Sequence, residues 1–118
     1  MGTPSPSGPL QTFKAEFFKA LAHPVRIRIL EVLIRGERSV QELQDALQLE
    51  QPIVSQHLAM LRAKSIVTAR KQGTTVWYTV RVPLMGELLA IARRVFDSQL
   101  NDSQTMLKEL RREGRRRS

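Results

Sequence analysis

The sequence predicts a mainly α-helical fold with one small β-hairpin, and three observations carry that prediction. Apolar residues recur at helical spacing in five segments between Leu10 and Leu110. The period drops to two in the arms that flank Gln72 and Gly73, most clearly at Val76, Tyr78 and Val80. Between Gln51 and Arg81 there is no Asp or Glu at all, while Arg62, Lys64, Arg70, Lys71 and Arg81 supply five positive charges.

The elements follow in order. Met1 to Pro9, with three prolines, two glycines and two serines, reads as a disordered leader over residues 1–9. Leu10, Phe13, Phe17, Ala20 and Leu21 then space a first helix, which stops at His23 because the residue before Pro24 is pushed out of the α region. Pro24 opens a second helix to about Arg35, apolar around most of its circumference and so expected in the core, with Gly36 as its stop. Ser39 and Glu42 match a capping box for a third helix, whose buried stripe is Val40, Leu43 and Leu47. Gln48 to Gln51 is a tight turn.

The next helix, Gln51 to Lys64, is the stretch that the others hold. Pro52 suits a first helical position because its missing N–H would find no partner there. Val54, Leu58 and Leu61 form one apolar line. At about 100° per residue, Ser55, Gln56, Ala59 and Ala63 lie on the far side with Pro52, and Gln51 and Arg62 on its flank. That outer face is small, polar and free of carboxylates, which suits the major groove of DNA. Two short helices joined by a turn make a helix-turn-helix, and the hairpin that follows, with Arg70 and Lys71 beside its turn, is a wing able to reach phosphates. Pro83 ends the strand, and a last helix runs from Leu84 towards Leu110. Its line Leu84, Leu88, Ile91 and Val95, widened by Met85, Leu89, Ala92 and Phe96, offers more apolar surface than a small winged domain covers by itself. With the Phe-rich first helix it predicts a dimer interface. Residues 10–110 are thus one winged-helix DNA-binding and dimerisation domain, and residues 111–118, with five arginines against one glutamate, a basic disordered tail.

Composition narrows the function classes. A chain of 118 residues suits a single domain, and a net charge of +8 favours a polyanionic partner. Aromatic content of 5% leaves few platforms for stacking single-stranded bases. Zero cysteines exclude disulfides and thiolate metal sites and fit a reducing cytoplasm, the expected location. No secretory signal and no apolar window of membrane-spanning length is present. Neither a phosphate-cradling glycine loop nor a nucleophile elbow occurs, and two histidines in unlike settings leave catalysis nothing to work with. His57 and His23 are expected to be structural, Arg26 and Arg28 to form intramolecular salt bridges, and Trp77 to pack.

Four passages, FKALAHPVRIRIL, SVQELQDALQLEQPIVSQHLAMLR, the Ile66-Val67 start of the wing and KQGTTVWYTV, closely resemble the ArsR/SmtB family of bacterial winged-helix repressors over about Phe13 to Arg94. The resemblance implies a homodimer joined through its first and last helices, bound to an imperfect palindrome in operator DNA. It maps DNA reading to Gln51, Ser55 and Gln56, with Arg62 nearby and Arg70 and Lys71 in the wing. Many members release DNA on binding a metal ion, and here the sequence departs from them. Where some carry a Cys-x-Cys pair this chain reads Leu43, Gln44, Asp45, Ala46. The last helix offers only Glu87, Asp97, Asp102 and Glu109, with no histidine after His57. Carboxylates alone suit a borderline transition metal poorly, so no cofactor is expected, with nickel or zinc at a non-standard site as the remaining option.

The expected function is a dimeric, sequence-specific transcriptional regulator that reads a palindromic operator. One alternative is a winged-helix interaction module, or a co-regulator that works with a separate effector-sensing partner. Another is an architectural DNA binder driven by the arginine tail.

Overall fold

The computed structural model of the chain describes residues 8–117. Five helices and three short strands follow one another: α1 (Pro9–Leu21), α2 (Pro24–Leu33), β1 (Arg38–Ser39), α3 (Val40–Leu47), α4 (Gln51–Ala63), β2 (Val67–Gln72), β3 (Thr75–Val80) and α5 (Met85–Arg117). The fold is the mainly helical one that the periodicities predict. It divides between Met85 and Gly86 into two compact units, where the sequence suggested one domain over 10–110.

In the first unit, α2, α3 and α4 pack on one another and on the sheet. Ile29, Leu30 and Leu33 of α2 are buried together with Leu43 and Leu47 of α3, Val54, Leu58 and Leu61 of α4, and Ile66 and Val67. Leu58 is fully buried, and truncating a leucine in such a place costs about 2–5 kcal/mol. The capping box forms as expected: Ser39 Oγ accepts from the Glu42 N–H and Glu42 Oε1 accepts from the Ser39 N–H, both at 3.2 Å. Ser39 has a second role that its sequence setting hides. Together with Arg38 it forms β1, paired antiparallel to Trp77 and Tyr78 in a sheet of order β1-β3-β2. Two residues are too short to show a period.

The turns use residues with no turn signature. Gln48, after α3, sits in the left-handed region at φ 56, and the Leu49 N–H reaches back to the Gln44 carbonyl at 3.3 Å. Ser65, after α4, does the same at φ 58. Its N–H bonds the Arg62 carbonyl and the Ile66 N–H bonds the Leu61 carbonyl, the paired bonds of a Schellman motif in which glycine is usual. That motif turns the chain sharply from α4 into the wing. There Gln72 pairs with Thr75, so the loop is Gly73-Thr74, one residue later than the sequence suggested. Gly73 has φ 62, the positive value that the first loop residue of a type II′ turn needs.

Two ends differ from expectation. Residues 1–7 of the expected leader lie outside the described residues, while Gly8 caps α1 and Pro9 opens it. At the other end α5 continues through Arg117, so residues 111–117 are helical where a disordered tail was expected. The composition of that segment predicts solvation, which an exposed helix satisfies as well as coil does. The helix is 33 residues long, about 50 Å. Its Ile91, Val95, Phe96, Leu100, Met106, Leu107 and Leu110 are all exposed.

A histidine pair ties α4 to α2. His57, only 9% exposed, stacks at 4.1 Å and a 39° tilt on His23. His23 is the N-cap of α2, and its Nδ1 accepts the Val25 N–H at 3.1 Å. Arg26 donates from Nε to His57 Nδ1 and from an Nη to the Ala20 carbonyl, each at 3.1 Å, and Arg28 donates to the Leu47 carbonyl at 2.9 Å. The two arginines thus bind an imidazole and carbonyls, not the carboxylates expected. His57 accepts through Nδ1, which requires its neutral ring. Burial, reinforced by repulsion from His23 and Arg26, holds the His57 pKa below its ordinary 6.5. The unfolded chain therefore takes up this proton first. The stability that neutral His57 contributes is fully present above about pH 6.5 and is lost as pH falls through the lower folded value. Urea denaturation should accordingly give a falling unfolding free energy from pH 7 to pH 5, with a shallower slope in His57→Gln.

Candidate nucleic-acid interface

Burial of Val54, Leu58 and Leu61 fixes how α4 is rotated and so which residues it shows to solvent. Gln51, Pro52, Gln56, Ala59, Arg62 and Ala63 are exposed, and Ser55 is half-buried beside them. Of the six positions singled out in the sequence, Gln51, Ser55 and Gln56 lie within the first two turns of α4 and Arg62 near its end. Helical periodicity missed one neighbour. Ile53, in the first turn, is 39% exposed, an apolar group among amides. The signal was available, since Ile53 falls off the buried line.

The wing arginine and lysine do not share a surface. Successive strand residues point to opposite faces. Arg70 pairs with Trp77 and lies on the face of Thr68 and Thr79, whereas Lys71 pairs with Val76 on the face of buried Val67. Arg70 is also already engaged. Its Nη2 and Nε donate to the two Glu37 oxygens at 2.6 and 3.4 Å, and its Nη1 to Gln72 Oε1 at 2.9 Å. The hydrogen bond to Glu37 raises the guanidinium pKa further above its already high value. Glu37 lies in the loop before β1, far from Arg70 in sequence, and nothing in the local pattern marks it as a partner.

The window without acids is therefore not free of them in space. Glu37 reaches Arg70, Glu16 of α1 reaches Lys64 at 3.6 Å, and Glu50 occupies the N-cap of α4 without bonding through its side chain. Arg62 and Lys71 make no ion pair among the described residues. Arg81 likewise makes none, so three of the five cations in that window are left uncompensated. No three His, Cys, Asp or Glu side chains among the described residues lie close enough to share a metal ion. No helix among the described residues is long and apolar enough to cross a membrane.

Known proteins share this fold. The model for bacterial regulatory proteins of the arsR family matches residues 23–69, which run from the α2 cap into the wing. Rv0081 of Mycobacterium tuberculosis, an uncharacterised HTH-type transcriptional regulator, is 47% identical over 109 residues, 92% of this chain and 96% of that protein. Its crystal structure matches with a TM-score of 0.72 at 48% identity, covering 82% of this chain and 98% of that one. The transcriptional activator HlyU of Vibrio cholerae is 38% identical over 66% of this chain and 72% of its own length. A structure of the repressor BigR of Xylella fastidiosa matches with a TM-score of 0.68 at 32% identity, covering 72% of this chain and 87% of that one. At this level of identity, sustained over nearly the full length, the chain belongs to the ArsR family and is a DNA-binding transcriptional regulator, not an enzyme.

Proposed function

We propose that the protein acts as a homodimer in the cytoplasm and reads a two-fold symmetric operator by inserting α4 of each copy into successive major grooves. The observation that carries this reading is the rotation of α4. Its apolar line is buried and its amides face solvent at the N-terminal end, where an α-helix best approaches base edges. Gln51 and Gln56 have the paired donor and acceptor that match adenine, Ser55 adds a hydroxyl, and Ile53 supplies an apolar contact for a thymine methyl. Arg62 and Lys71 hold phosphates and set the register. Arg70 is the reserve cation of the wing, held by Glu37 in the free protein.

Dimerisation is supported by apolar surface on two helices taken separately. Phe13 of α1 is 72% exposed and Phe96 of α5 is 66% exposed, with Leu10 and Phe18 on the first helix and Ile91 and Val95 on the second also open. A stable monomer seldom leaves so many large apolar groups in water, and a second copy is the simplest cover for both helices.

Two substitutions separate the roles. Gln56→Ala should weaken binding to the selected operator by about 1–3 kcal/mol and leave random duplex nearly unaffected. Lys71→Ala should weaken both alike and reduce the slope of log K against log salt by about one unit. Equal losses on operator and random DNA for both variants, read by fluorescence anisotropy, would reject this division. Glu37→Gln releases Arg70. Binding to any duplex should then tighten and the salt slope steepen by about one unit, whereas weaker binding would mean that Glu37 serves to aim the wing.

A further inference from the structure

The geometry points to a small-anion site in the cleft between α1 and α4, one that takes an aliphatic monocarboxylate. The cleft has a volume of about 450 Å³, within the range of ligand pockets, and is open on one side. Lys19, His23, Arg26 and Lys64 line it against a single carboxylate, Glu16. Glu16 already shows how an acid is received there, since it reaches across from α1 to Lys64 at 3.6 Å. Both partners are about half-exposed, so this pair contributes little and a competing carboxylate displaces it easily.

The donors are directed by bonds made behind the cleft. Arg26 has Nε committed to His57 and Nη1 to the Ala20 carbonyl, which fixes its plane and leaves Nη2 uncommitted. His23 accepts the Val25 N–H through Nδ1, so its proton sits on Nε2 as a donor. The carbonyls at the end of α1 would oppose an anion, but they are occupied. Lys19, Ala20 and Leu21 accept from Ala22, Arg26 and His23 respectively. Met60, 44% exposed on α4, supplies an apolar wall for an alkyl chain. The donor set is wrong for a cation, because no cluster of three metal-ligating side chains exists among the described residues.

Such a site joins α1 to the end of α4. Control of DNA binding by its ligand would rest on the operator reading above, but occupancy itself does not. The test is therefore made without DNA, by titrating the ¹⁵N-labelled full-length protein with hexanoate, its neutral isostere hexanamide, and inorganic phosphate. Hexanoate should shift the amides of Lys19, Ala22, His23, Met60 and Lys64 saturably, and the other two should not. Lys64→Met should weaken hexanoate about three- to tenfold, as expected for loss of a charged hydrogen-bond donor, and Glu16→Gln should tighten it about two- to fivefold by removing the internal competitor. Equal shifts from phosphate would mark a generic basic surface and overturn the proposal. So would equal shifts from hexanamide, absence of saturation, or weaker binding in Glu16→Gln. Both substituted residues are at the surface, so loss of folding does not confound the result.

Discussion

The structure depends on the burial of one line of side chains, Val54, Leu58 and Leu61, against α2, α3 and the start of the wing. Three apolar residues at that spacing leave α4 one acceptable rotation, because any other would expose two leucines and bury Gln56 or Arg62 without partners. The polar outer face is thus a by-product of core packing. His57 reinforces the same rotation from the edge of the line, since its ring must stay inside to meet His23 and Arg26. The proposed recognition face and the core stripe share one helix, and each constrains the other.

Electrostatics acts on a finer scale than net charge suggests. The chain carries +8, and an excess of that size favours association with DNA in general. The local field is set by which cations are already paired. Arg70 and Lys64 have carboxylate partners from distant elements, while Arg62 and Lys71 do not. The two basic residues of the wing thus lie on opposite faces, Arg70 held by Glu37 and Lys71 without an ion pair among the described residues.

Much of this was legible in the residues. Pro24 and Pro52 mark helix starts, Ser39 with Glu42 marks a third, and the shift from period 3.6 to period two places the wing; all four features stand in the structure. The reading faltered where the cause is non-local or where an unusual residue takes a familiar role. Gln48 and Ser65 adopt left-handed conformations that sequence assigns to glycine or asparagine, because tertiary packing of the elements on either side (α3 and α4 for Gln48, α4 and β2 for Ser65) overrides their intrinsic cost. β1 owes its existence to its partner strand. The Glu37–Arg70 pair spans β1, α3 and α4, so no local window contains it. The basic end of α5 shows that a run of like charge says where a segment lies, in solvent, and not whether its backbone is helical.

Relatives of similar identity include both an activator and a repressor, so this fold does not by itself fix the sign of regulation. The central proposal is a symmetric pair of reading heads, one α4 from each copy. Its most direct test is to select bound duplexes from a random pool with the purified protein and sequence them. An inverted repeat with half-site centres about one helical turn, or a whole multiple of it, apart is the predicted result. Recovery of a pool with no enriched sequence would show that the exposed face of α4 holds DNA without reading it.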